Sequence, residues 1–277
     1  MKRIASIQDI SCLGRCSLTV ALPVISAMAV ECAIVPTAVL STHTMFPGFI
    51  SRDLSDQLLP IARHWKSQNV TLDAICTGYL ASPLQTEEVC RFFDLLAGPD
   101  TLLFVDPAMA DSGRLYAGFG PDFPGYMRRV VARAHVAVPN VTEACLLTGT
   151  PYRETEDLSW WRDLLRRVAD LGPRYPVLTG VPFGPDRLGV LALDPDTGGF
   201  FDYHTPRVHD HFHGTGDIFS AACAGAMVRG KSLPEALRLA ADFTLACIQV
   251  TCRDPNAPWY GVEFEKALHL LPGLLEG

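Results

Sequence analysis

Six short apolar runs are spaced along this chain: RIASIQ, CAIVPTAVL, LDAICTGY, TLLFVDP, AHVAVPN and YPVLTG. Each is rich in Val, Ile, Leu or Ala and ends in turn residues, as strands buried on both faces do. Segments with helical patterning fill several of the intervals, at about residues 17–30, 51–66, 84–96 and 158–171. Strands that alternate with helices build a mostly parallel sheet with helices on both faces. The stretch GVLALDPDTGGFFDYHTP breaks that rhythm, because two strand-like runs flank a Gly-rich turn. It is expected to form a late antiparallel hairpin. Two more helices are expected from about Thr215 and Leu233. With no internal repeat, linker or low-complexity tract, residues 1–277 read as one α/β domain.

Composition narrows what such a domain does. Hydrophobic residues make up 48% of the chain and charged residues 19%, which supplies a core and argues against disorder. A formal net charge of −7 argues against a general nucleic-acid or membrane-surface binder. It leaves room for an anionic ligand held locally by backbone amides. The nine cysteines are odd in number and mostly lie in apolar surroundings such as DAICTGY and SAACAGAM, which reads as reduced thiols in a cytoplasmic protein. Cys12 and Cys16 form an isolated CxxxC, weak as a metal motif. MKRIASIQDI is too short and too polar for a signal peptide. No apolar run approaches the ~18 residues of a membrane span.

In open α/β sheets ligands bind beyond the carboxyl ends of the strands. Polar residues collect there: Asp9, His43-Thr44, Thr77-Gly78-Tyr79, Asp106, Asn140 and Thr179. The stretch HFHGTGDIFSAACAGAM adds Gly214-Thr215-Gly216-Asp217 at the start of a helix. Glycines let the backbone approach a ligand closely, and a helix N-terminus offers unpaired amides and a positive dipole end, which suits a phosphate. Asp217 has two readings: a helix-capping acid, or a base that takes a proton from an attacking hydroxyl. Asn140 and Glu143 likewise read as a capping box or as a site where Glu143 orders waters around Mg2+. Asp106 and Asp111 read as solvated turn acids or as groups near nucleotide phosphates and cations. His43 reads as a core histidine or a pocket wall. His209, His211 and His213 alternate and would share one face of an extended segment. They read as a zinc or nickel site, or as a lining over the adjoining phosphate site.

The order of these motifs resembles the ribokinase superfamily and, within it, the pyridoxal kinase family. SIQDISCLGRCSLTVALPVISAMAVECAIVPTAVLSTHT, CTGYLAS, VDPAMAD, VPNVTEACLL and HGTGDIF follow in the family's sequence, over nearly the whole length. The resemblance implies a ribokinase-like three-layer sandwich and an ATP-dependent kinase acting on the 5'-hydroxymethyl group of a vitamin B6 vitamer. It implies Mg2+, often K+, and a homodimer. By position, Asp217 matches the catalytic base, and Gly214, Thr215 and Gly216 match the anion hole. Asp106, Asp111, Tyr116, Asn140 and Thr179 match the nucleotide side. Glu143 matches the acid associated with Mg2+. Asp9, His43, Thr44 and Tyr79 match the vitamer pocket.

Three departures stand out. Asp9 occupies a position where better-known members carry serine, and a carboxylate there could pair with a cationic amine or a pyridinium nitrogen. Val138 replaces a threonine that contacts nucleotide in other members. CLGRCSL departs from the usual Gly-Asn pattern. The competing readings are a hydroxymethylpyrimidine or other small-molecule kinase of the same fold, and a non-catalytic B6- or metal-binding protein. The segment 110–125, with its four glycines, is the expected mobile loop.

Overall fold

The computed structural model describes residues 1–208 and 212–276, so His209 and His211 lie outside the described residues. The strands are β1 (Arg3–Ser11), β2 (Glu31–Leu40), β3 (Ser51–Asp53), β4 (Ala74–Thr77), β5 (Leu102–Val105), β6 (Ala110–Asp111), β7 (Arg114–Leu115), β8 (Val136–Ala137), β9 (Tyr175–Pro182), β10 (Arg187–Leu193) and β11 (Phe200–Pro206). The helices are α1 (Leu18–Ala27), α2 (Ser55–Ser67), α3 (Pro83–Leu96), α4 (Phe123–Val131), α5 (Val141–Thr148), α6 (Leu158–Ala169), α7 (Thr215–Val228), α8 (Leu233–Cys252) and α9 (Leu271–Glu276). Nine strands form one sheet in the order β11-β10-β9-β8-β5-β4-β1-β2-β3, and β6 pairs with β7 apart from it. The six central strands run parallel. Antiparallel pairs close both edges: β3 on β2, and β9-β10-β11 at the other end.

Period-2 alternation sorts the buried side chains onto two faces. Ile4, Ala74, Cys76 and Phe104 pack with α1, α7 and α8 on one face. Ala5, Ile7, Ile75, Leu103 and Val105 pack with α2, α3 and α4 on the other. Trp161, Leu164 and Leu165 of α6 cover Leu178 and Leu191 at the far end of the sheet. This is the three-layer sandwich expected from the sequence.

Two local expectations are corrected. The segment read as a helix over 51–66 opens with the edge strand β3, whose Ser51 and Asp53 pair with Leu40 and Ala38. The helix starts only at Ser55, whose amide donates to Asp53 Oδ1 at 2.8 Å. The loop expected over 110–125 is partly ordered as the β6–β7 hairpin and ends in the first turn of α4. A two-residue strand and a Pro-started helix carry too little periodicity to be visible from sequence. Among the described residues no helix is long and apolar enough to cross a membrane.

Candidate active site

The site forms where the carboxyl ends of β1, β4 and β5 meet the N-terminus of α7. Gly214 caps α7 in the left-handed conformation, φ 83°. A Cβ there would lie 1.9 Å from the Arg15 carbonyl oxygen, so only glycine fits between α7 and the 12–16 loop. Gly216 differs: the space a Cβ would take is open. The first amide of this turn to find a helical carbonyl belongs to Ile218, which donates to Gly214 O at 3.0 Å. The amides before it have no helical carbonyl to bind, and with open space at Gly216 this helix N-terminus can be approached by an anion.

Asp217 lies in that turn, half-buried. Burial pushes its pKa up to about 7, the Ser17 amide hydrogen bond opposes this, and Asp106 and Asp9 push it further up. Ser17 is itself unusual, a non-glycine residue at φ 51°. Its amide reaches Asp217, and its hydroxyl donates to Asp9 Oδ1 at 2.6 Å. Asp106, at the end of β5, is buried and accepts from Ser220 Oγ of α7 at 2.7 Å. Burial raises its pKa to about 6, which the Ser220 bond opposes.

Asn140 and Glu143 do form a capping box at α5. Asn140 Oδ1 accepts from the Glu143 amide at 2.9 Å, and Glu143 Oε2 accepts from the Asn140 amide at 2.8 Å. The box also grips the hairpin. Glu143 Oε1 accepts from the Met109 amide at 3.0 Å, and Asn140 Nδ2 donates to Ala110 O at 2.8 Å. The Gly113 amide adds a bond to Thr142 Oγ1 at 3.0 Å. Glu143 is 2% exposed, and burial, with Asp106 beside it, holds its carboxyl well above the usual range. Tyr116 follows β7, and its hydroxyl is raised by burial and by Glu143, Asp111, Asp106 and Asp217. Asp111 is exposed, with Oδ1 taken by the Ser112 amide at 2.7 Å. Thr179 forms an isolated parallel bridge to Asn140, beside the box.

Asp9, in β1, lies near both Asp217 and Tyr79. Asp9 is 5% exposed, and its charge raises the Tyr79 hydroxyl after burial does. The Tyr79 ring lies 5.4 Å from Phe119, which stacks on Phe123 at 3.9 Å. His43 is buried with both ring nitrogens engaged. Nδ1 accepts from the Met45 amide at 3.1 Å, so Nε2 carries the proton and meets Tyr260 O at 3.1 Å. Burial, then His213, lowers its pKa, which the bond to Tyr260 opposes. Phe46, His213 and Trp259 surround it, with centroids at 5.0, 5.5 and 5.9 Å. Thr44 is exposed in the same loop. Val138 sits in the apolar core and offers no polar contact.

Sequence reasoning missed Ser17, Ser220, Phe119, Trp259 and Tyr260. Each enters through a contact distant in sequence, such as His43 with Tyr260, and no local pattern marks it. Cys16 is also here, its thiol raised to about 12 by burial and by Asp217. Among the described residues no group of three or more His, Cys, Asp or Glu side chains is arranged to hold a metal.

This fold is that of a family of small-molecule kinases. The chain belongs to the phosphomethylpyrimidine kinase family, whose model matches residues 22–257. It is similar to a Bacteroides thetaiotaomicron protein, provisionally described as a phosphomethylpyrimidine kinase and crystallised with pyridoxal. The two are 37% identical, with a TM-score of 0.93, over 98% of this chain and 96% of that one. Pyridoxal kinase from Lactobacillus plantarum is 31% identical, with a TM-score of 0.89, over 100% and 98% of the two chains. A hydroxymethylpyrimidine/phosphomethylpyrimidine kinase of Streptomyces coelicolor is 29% identical over 65% of this chain, a match spanning 64% of that relative.

Proposed function

We propose that this protein is an ATP-dependent kinase that phosphorylates the 5'-hydroxymethyl group of a vitamin B6 vitamer. The observation that carries the reading is the place of Asp217, in the first turn of α7 beside the amides of Gly214–Gly216, where burial pushes its pKa up to about 7. An acid beside a phosphate site is unfavourable unless it removes a proton there. The vitamer oxygen bonds to the γ-phosphorus of ATP as the bond from that phosphorus to the bridging oxygen of ADP breaks. Asp217 accepts the hydroxyl proton. The amides at the start of α7 hold the charge on the transferred group. Asn140, Thr179 and the acids Asp106 and Asp111 lie on the nucleotide side, and Tyr116 covers it. Asp9, Tyr79, Thr44 and the ring of His43 line the acceptor side.

The residues fit Mg2+. Asp106 is a buried acid with no ion-pair partner among the described residues, and a strongly hydrated ion needs only one or two carboxylates beside phosphate. When bound, the ion neutralises phosphate oxygens. Asp106 would hold the ion, and Glu143, whose oxygens are held by backbone amides, would support it through water. A hydroxymethylpyrimidine is the second reading, favoured by the family match and by the Streptomyces relative.

Phosphorylation assays with Mg-ATP and pyridoxal, pyridoxine, pyridoxamine, hydroxymethylpyrimidine and ribose test the reading. Turnover of a vitamer supports it, and turnover of ribose alone overturns it. Because the base works deprotonated, kcat/KM should rise with pH through about 7 and level off above. A rate flat from pH 5.5 to 8.5 would contradict that role. The two glycines should separate. Gly214→Ala should lower Tm, since its Cβ meets Arg15 O at 1.9 Å. Gly216→Ala should keep Tm and lose about tenfold or more in kcat/KM, because its methyl enters the phosphate cradle.

A further inference from the structure

The buried acids of the site lie close enough to act on one another. Asp9 and Asp106 each act on Asp217, and Asp106 acts on Glu143. Tyr116 feels Asp217, Asp106, Asp111 and Glu143, whereas Tyr79 feels Asp9. Ser17 joins two of the acids, its amide reaching Asp217 and its hydroxyl donating to Asp9 Oδ1 at 2.6 Å, so Asp9 stands beside the acid read above as the base, where the acceptor hydroxyl must lie.

Asp9 is built in with care. It stands where the pairing of β1 with β2 slips between Gln8 and Ile10. Each carboxylate oxygen takes one hydroxyl, from Ser17 at 2.6 Å and from Ser11 at 3.2 Å. Ser17 holds its place at a positive φ. Yet no Lys, Arg or His among the described residues pairs with Asp9, and Asp217, one of its charged neighbours, has the same sign. A fixed buried carboxylate with hydroxyl donors but no counter-cation is costly. It is worth keeping if the ligand supplies the cation, because the pair then forms in a site shielded from water, with its acceptor oriented beforehand.

We infer that Asp9 is a specificity-determining residue that selects acceptors presenting a cationic N–H, either a protonated ring nitrogen or an ammonium group, over neutral alcohols of the same shape. The inference rests on the acceptor reading above and narrows its chemistry. Ser11 and Ser17 are the positioning residues that aim the carboxylate.

The test is a matrix of kcat/KM values. Wild type, Asp9→Asn and Asp9→Ser are each assayed with pyridoxine, with pyridoxamine and with the carbocyclic analogue of pyridoxine that has C–H in place of the ring nitrogen. If Asp9 meets the ring nitrogen, both variants lose about tenfold or more on both vitamers and little on the carbocycle. If it meets the amine, the loss falls on pyridoxamine alone. A uniform loss on all three compounds, or none, overturns the inference and leaves Asp9 a structural acid. Should wild type turn over no vitamer, the kinase reading fails separately. Calorimetric binding of the same three compounds to wild type and Asp9→Asn then decides the role of Asp9: equal affinities in the two proteins overturn it, and a selective loss on the cations sustains it.

Discussion

Asp217→Asn should fold, bind nucleotide and acceptor, and lose a factor on the order of 10² or more in kcat, the size expected for a general base. Asparagine keeps the shape and can still accept from the Ser17 amide, but it cannot take up a proton. The same substitution should not cost stability at alkaline pH. Burial raises the folded pKa of Asp217 above that of the unfolded chain. Between the unfolded value and about 7 the folded state therefore binds more protons than the unfolded one. The stabilising proton is fully present below the unfolded pKa, and its contribution is lost as pH rises through the folded pKa. At pH 8 wild type carries an ionised carboxylate beside Asp106 and Asp9, and the variant does not. Thermal melts at pH 8 should put Asp217→Asn level with wild type or above it. A variant that melts well below wild type and still turns over normally would make Asp217 a helix cap.

Glu143→Ala should produce the larger structural effect. The side chain is 2% exposed and accepts from the amides of Asn140 and Met109. Truncation leaves buried donors unpaired and frees the β6–β7 hairpin from α5. At about 1–3 kcal/mol per buried donor, the loss should be roughly 3 kcal/mol. At about 2–4 °C per kcal/mol, Tm should fall by roughly 6–12 °C. Glu143→Gln keeps one acceptor oxygen and should fall between alanine and wild type. Activity should drop with the hairpin, because Tyr116 rides on it. A Glu143→Ala protein with unchanged Tm, restored by excess Mg2+, would place Glu143 at the ion and not at the hairpin.

The layers of the fold were legible because both-face burial leaves near-continuous apolar runs that a parallel sheet requires. The six central strands fall in the six runs read from sequence, and the hairpin at GVLALDPDTGGFFDYHTP is β10–β11. What stayed hidden was short or held by tertiary contact. β3 exists because Arg52 lies beside Val39 at the sheet edge, not because Ser-Arg-Asp favours a strand. In the site, the acids announced themselves as polar groups at strand ends. Their holders did not. Ser17 serves Asp9 and Asp217 through an unusual backbone torsion, and Ser220 reaches Asp106 across 114 positions. Of the two readings of His43, the satisfied, buried histidine is the one seen, with its ring packed among Phe46, His213 and Trp259. The Asn140–Glu143 pair is the capping box that the spacing suggested, extended by a grip on the hairpin that spacing alone does not encode.

The most direct test of the central claim is a competition. Wild-type protein, Mg-ATP and equal concentrations of pyridoxal and hydroxymethylpyrimidine are mixed, and the phosphorylated products are separated and identified by mass. The account predicts that pyridoxal 5'-phosphate accumulates first and dominates, and that Asp217→Asn forms neither product at a comparable rate. A mixture dominated by the pyrimidine phosphate would contradict the assignment of the acceptor, while equal products from wild type and Asp217→Asn would contradict the mechanism.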